Sequence, residues 1–243
     1  MSHKTAKQII NQVAAEVGVP TVVSPYSSGD AAMIQMRAIL DAVGEELVEA
    51  YDWQALRREE SFTVDPADDN IYDLPDNFRR MIDQTGWQRS DDVPLFGPLS
   101  AQQWAYLVGR DLSSSTIYAS FRLTQGKLYL FPEDPPDNVT IAYEYISDLW
   151  VEDGDVAGTY LNAPVKDNDI ILLNSRLVER GLKFRFLQAR GFDSAAAGQE
   201  YQNSLDKMCS QEKSAPILTA GDGGWQYPYL STYGNTPDSG FGS

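Results

Sequence analysis

Cysteine and histidine are almost missing: one of each in 243 residues. The single Cys209 cannot close a disulfide within the chain, and metal centres built on several thiolates or imidazoles are excluded. Cys209 reads as a small apolar filler. His3 is the only imidazole and is expected in a frayed terminus, so Ser-His-Asp and Cys-His catalysis have no base. Long apolar runs are missing too. Nothing approaches the ~18 residues of a membrane span, and Met1-Ser2-His3-Lys4 carries no apolar segment of the kind a secretory signal needs. Positive charge is scarce, with 19 Lys and Arg against 35 Asp and Glu and a formal charge of −16. Binding to DNA phosphates by counterion release requires the opposite balance. No Walker loop, dinucleotide fingerprint or nucleophile elbow occurs, and Gly221-Asp222-Gly223-Gly224 lacks the Lys-Ser/Thr ending of a phosphate loop.

What is present suits a folded block. Hydrophobic residues make up 42% and aromatics 11%, enough for a sizeable core and too many for general disorder.

Taken in order, residues 5–17 predict a first helix capped by Thr5, with Ile9, Ile10, Val13 and Val17 on one face and Gly18 ending it. Asp30 caps a second helix over 31–51, with an apolar stripe of Met36, Leu40, Val43 and Leu47. Its carboxylates, Asp41, Glu45, Glu46 and Glu49, read as a solvated face, with an acid/base pair as the functional alternative. At 51–64, YDWQALRREESFTV, the helix passes directly into a strand. Trp53, Leu56 and Phe62 form the joint.

The middle is β-rich. Strands are expected at 60–64, 70–73, 84–89, 117–124, 127–131 and 139–145. Gln125-Gly126 is a hairpin signal, and 117–145 reads as one three-stranded meander. Ser100 caps a short helix, 101–109, expected to cover the sheet. Residues 149–166 form an acidic loop. Its Glu152-Asp153-Gly154-Asp155 suits a solvated turn or, less fully, a calcium loop whose closing Glu is missing.

Asp167 or Asn168 is expected to cap a third long helix, 169–190. That helix bears Arg176, Arg180, Lys183, Arg185 and Arg190, the most basic element in an acidic chain. Two readings stand for these cations: contact with an acidic neighbour or DNA phosphates, or pairing with Glu179 and the acidic loops. Asp193 caps a fourth helix, 194–213, folding back as an antiparallel hairpin. Residues 214–243 then combine Gly and Pro with Trp225, Tyr227, Tyr229, Tyr233 and Phe241. Such a segment suits docking into a partner's grooves more than closing a core.

The fold class expected is α+β: long antiparallel helices with an antiparallel β-rich domain inserted between the second and third, plus an extended C-terminal arm. The boundaries are 1–59, 60–166, 167–213 and 214–243.

Over residues 5–213 the chain resembles the head-to-tail adaptor proteins of short-tailed bacteriophages. The likeness is carried by KQIINQVAAEVGVP, YDWQALRREESFTV, WQRSDDVPLFGPLSAQQWAYL, IAYEYISDLWV and LLNSRLVERGLKFRFLQARGFD. It implies a virion protein without catalytic residues, cofactor or metal. It implies a ring, commonly a homo-dodecamer, beneath the portal protein. The ring continues the DNA ejection channel and holds the next tail component (nozzle or tail hub) and tail fibres. It also implies that the arm, through Trp225, Tyr227, Tyr229, Tyr233 and Phe241, embraces the portal. Arg176, Arg180, Lys183 and Arg185 are then candidates for subunit or partner contacts. DNA passes without sequence-specific binding, past a bore expected to be acidic. Two readings from other classes stand beside this: a peptidoglycan hydrolase using Glu45, Glu46 or Glu49, and a free-standing binding module using its aromatic tail.

Overall fold

A computed structural model describes residues 3–65, 70–90, 93–109, 120–131 and 139–212. Among them the fold is mixed, with five α-helices and antiparallel sheets.

The helices are α1 (Ala6–Glu16), α2 (Ala31–Ala50), α3 (Ala101–Gly109), α4 (Ser175–Ala189) and α5 (Ala195–Glu212). Their starts follow local chemistry. Thr5 and Gln8 close a reciprocal capping box on α1, and Asp30 accepts from the Ala32 and Met33 amides of α2. Ser100 and Gln103 do the same for α3, as the sequence predicts. Helix α4 is packed against α1, α2 and α5. Gly181 lets α2 come close: a β-carbon there would lie 2.8 Å from Val43 Cγ1. The apolar faces of α1, α2 and α4 enclose one core, which includes Ile9, Ile10, Val13, Met36, Leu40, Leu47, Leu182 and Phe186. Tyr201 of α5 closes it, stacked on Phe184 at 6.1 Å.

The strands are β1 (Arg57–Thr63), β2 (Ile71–Asp73), β3 (Phe78–Met81), β4 (Trp87–Gln88), β5 (Val93–Pro94), β6 (Ser120–Thr124), β7 (Lys127–Phe131), β8 (Thr140–Ser147), β9 (Val151–Glu152), β10 (Tyr160–Leu161) and β11 (Ile170–Ile171). Strand β8 is the spine. It pairs with β1 along seven residues on one edge and with β3 and β4 on the other. A separate sheet runs β2-β7-β6, and a small one β10-β9-β11. A second core, including Tyr72, Phe121, Leu128, Ile141, Tyr143 and Tyr145, fills the β part. Ile146 of β8 belongs to the first core, so one strand reaches both.

The expected meander over 117–145 is corrected. Strands β6 and β7 form the predicted hairpin, with Gln125 and Gly126 both at positive φ (53° and 73°) as a two-residue turn requires. Strand β8 instead lies in the other sheet. The reason is its burial on both faces: Ala142 and Ile146 are buried along with Ile141, Tyr143 and Tyr145. A strand covered on both sides belongs at the centre of a sheet.

The third long helix also begins later than predicted. Ile170 and Ile171 pair with β9 as a short strand, and Asn174 is the cap, accepting from the Arg176 and Leu177 amides at 3.1 and 3.2 Å. Asp167 and Asn168 do other work. Asp167 holds the 24–27 loop, accepting from the Ser24 hydroxyl and the Tyr26 amide. Asn168 donates to Asp155 at 2.6 Å. The strand expected at 84–89 shrinks to β4, because Gln84 sits at φ 63° and breaks the extended run. Helix α3 buries none of its side chains. It leans on the sheet through half-buried Trp104, whose ring meets Phe131 at 6.1 Å.

Candidate functional site

The joint at 51–64 is held from two sides. Trp53 is buried, and its indole Nε1 donates to the Leu47 carbonyl at 2.6 Å. That satisfies one of the carbonyls that the end of α2 leaves without an intrahelical partner. Leu56 is fully buried in the helical core, and Phe62 packs on Tyr72 at 4.4 Å in the β part. Strand β3 supplies a clamp that the sequence did not announce. The Arg80 guanidinium donates to the Val48 carbonyl (2.8 Å), the Tyr51 carbonyl (2.7 Å) and Asp52 Oδ1 (2.8 Å). A cation at a helix C-terminus meets both the free carbonyls and the negative end of the dipole. Helix α5 ends here too, with the Gln54 amide donating to Glu212 Oε2 at 3.1 Å.

His3 is docked, not frayed. Its Nδ1–H donates to the Ile171 carbonyl at 3.2 Å, beside an antiparallel bridge of Thr5 with Ile170.

Of the four cations proposed for contacts on α4, three are engaged within the chain. Lys183 pairs with Glu16 of α1 at 3.1 Å, and Arg185 with Glu46 of α2 at 2.7 Å. Arg180 donates to the Ser204 hydroxyl of α5. Their partners are on neighbouring helices, not one turn away on α4. The Gln12 amide, with Lys183 behind it, holds the Glu16 carboxyl below its usual range. Arg176 is exposed and forms no ion pair among the described residues.

The three candidate acids of α2 do not act as a set. Glu46 is taken by Arg185 and Glu49 by Arg79. Glu45 lines a cleft with Val48, Arg79, Asp148, Trp150 and Asn162. Asp41, one turn before Glu45, is pushed up to about 6 by burial and by the Glu45 charge.

The acidic loop is filled by an ammonium. Lys166 Nζ lies 2.6 Å from Asp155 and 3.3 Å from Asp153. Hydrogen bonds from the Asp155 amide to Asp153 and from Lys166 to Asp155 hold both carboxyls below their usual range. Asp169, fully buried, accepts from the Gly154, Val165 and Lys166 amides at 3.2, 2.7 and 2.7 Å. Among the described residues no group of three or more His, Cys, Asp or Glu side chains is arranged to hold a metal ion. The turn reads as a lysine-pinned loop.

Two apolar grooves remain open. One lies between α2 and α4, lined by Ala38, Ile39, Ala42 and Ala189 with the Glu46–Arg185 pair at its rim. The other lies along α3, lined by Phe96, Leu99, Tyr106 and Leu107, with Phe96 63% exposed. Solvent-facing aromatics and aliphatics of this kind mark surfaces that work by contact. Trp225, Tyr227, Tyr229, Tyr233 and Phe241 lie outside the described residues.

The model of the SU10 adaptor protein family matches residues 4–221. The chain belongs to that family. It is a phage adaptor, and the family points to a structural role in the virion. No curated protein matches it. An adaptor needs a rigid block and faces for neighbours, and the joint and the two grooves supply these. No described helix of this adaptor is long and apolar enough to cross a membrane.

Proposed function

We propose that this adaptor is one subunit of a closed ring at the head–tail junction of the virion. The ring sits under the portal, extends the DNA channel and receives the next tail component. Family membership over residues 4–221 is the observation that carries this reading. Each subunit meets the next through two different faces, the heterologous contact that closes a ring. Exposed Arg176 and the rim of the α2–α4 groove around Arg185 belong to those faces in this reading, with Arg180 and Lys183 bracing α4 behind them. The groove along α3 faces a tail component. The aromatic arm, Trp225 to Phe241, binds the portal. A charge of −16 per subunit suits a conduit that repels sliding DNA rather than gripping it.

The test is to mix the purified protein with portal and measure the mass of what forms. A closed ring on portal is expected from the full chain. A chain ending at residue 213 is expected to keep its circular dichroism and melting temperature and to lose portal binding. An Arg176→Glu variant is expected to fold and to fail in ring closure. A monomer indifferent to portal contradicts the proposal.

A further inference from the structure

The cleft at the seam of the two layers has a chemistry of its own. Its lining comes from four separate stretches: Glu45 and Val48 on α2, Arg79 on β3, Asp148 and Trp150 after β8, and Asn162 after β10. Two buried polar atoms of its lining residues have no hydrogen-bond partner: Asp148 Oδ1, an acceptor, and Trp150 Nε1, a donor. Trp150 is only 1% exposed. Buried polar atoms are nearly always paired, and one left bare costs about 1–3 kcal/mol. Arg79 offers no relief, because it is committed to Glu49.

The space is about 170 Å³, well beyond the ~30 Å³ share of a single water. The occupant must donate to a carboxylate and accept from an indole. A guanidinium or an ammonium has no acceptor, and a carboxylate has no donor and meets Glu45 and Asp148 as like charges. A primary amide carries both on separate atoms of one planar group. We propose that this cleft receives a primary amide, the Asn or Gln side chain of a docking polypeptide. Asp148 Oδ1 accepts from its NH₂ group and Trp150 Nε1 donates to its carbonyl oxygen. The site does not depend on the ring reading.

The experiment titrates acetamide, methylguanidinium and acetate into ¹⁵N-labelled full-length protein and follows the indole N–H signals. There are five tryptophans, and a Trp150→Phe variant identifies the one that matters. Acetamide is expected to shift the Trp150 indole saturably, and the other two probes are not. Asp148→Ala is expected to weaken acetamide about tenfold, the loss of one hydrogen bond. Trp150→Phe is expected to weaken it similarly, read from the Glu45 and Asn162 backbone amides. No saturation with acetamide means water alone fills the cleft and overturns the proposal. So does preferential binding of methylguanidinium or acetate at the same residues.

Discussion

The indole of Trp150 rests on the backbone of Gly44. A β-carbon built on that glycine would lie 2.1 Å from Trp150 Cζ2 and 2.4 Å from Cε2. Helix α2 and the segment after β8 therefore touch where only a hydrogen fits.

Gly44→Ala is accordingly expected to destabilise the fold. In a solvated helix the same change would gain up to ~1 kcal/mol. Here overpacking wins, costing about 1–3 kcal/mol or more. Thermal melting checks it. A Gly44→Ala protein as stable as the parent would mean the contact is not tight.

Asp169 organises the loop that the sequence left between calcium site and simple turn. Asp169→Ala strands three buried amides at once, those of Gly154, Val165 and Lys166. A loss of about 2–4 kcal/mol is expected in denaturant unfolding. Asp155→Ala, which removes only an exposed partner of Lys166, is expected to cost under about 1 kcal/mol.

Asp41 gives stability a pH dependence of definite sign. Its carboxyl titrates near 3.8 when free and at about 6 in the fold, so the folded state holds the proton more tightly. That contribution is fully present below about pH 4 and is lost as the pH rises through about 6. Asp41→Asn is expected to remove it, so the variant gains on the parent between pH 4 and 7. Asp41 is only partly buried, and after solvent screening the gain is of order 1 kcal/mol. Melting temperatures across that range check it. A parallel pH profile in parent and variant would contradict it.

What the sequence made legible was local. Thr5, Asp30 and Ser100 cap their helices because the cap bonds run two or three residues along the chain. Gln125-Gly126 turns its hairpin for the same reason. What depends on distant partners was misread. Ile170 and Leu173 fit a helical face in sequence, but β9 claims Ile170 and Ile171 as a strand. Strand β8 looked like a meander edge until its second face was seen to be covered. The clamp of Arg80 on α2 joins residues about thirty apart, and no spacing rule announces it. The alternation of apolar residues in β8 was visible, but the buried Ala142 and Ile146 between them were the unused sign that both faces are covered. The seam cleft draws on four stretches, so only tertiary structure assembles it.

Electron cryomicroscopy of the neck of intact virions, with this subunit tagged, bears most directly on whether it is a stave of a genome conduit. A closed ring of tagged copies between portal and tail, with density for the aromatic arms running onto the portal, is the result expected. Virions that lack the subunit, or carry it away from the neck, would contradict that role.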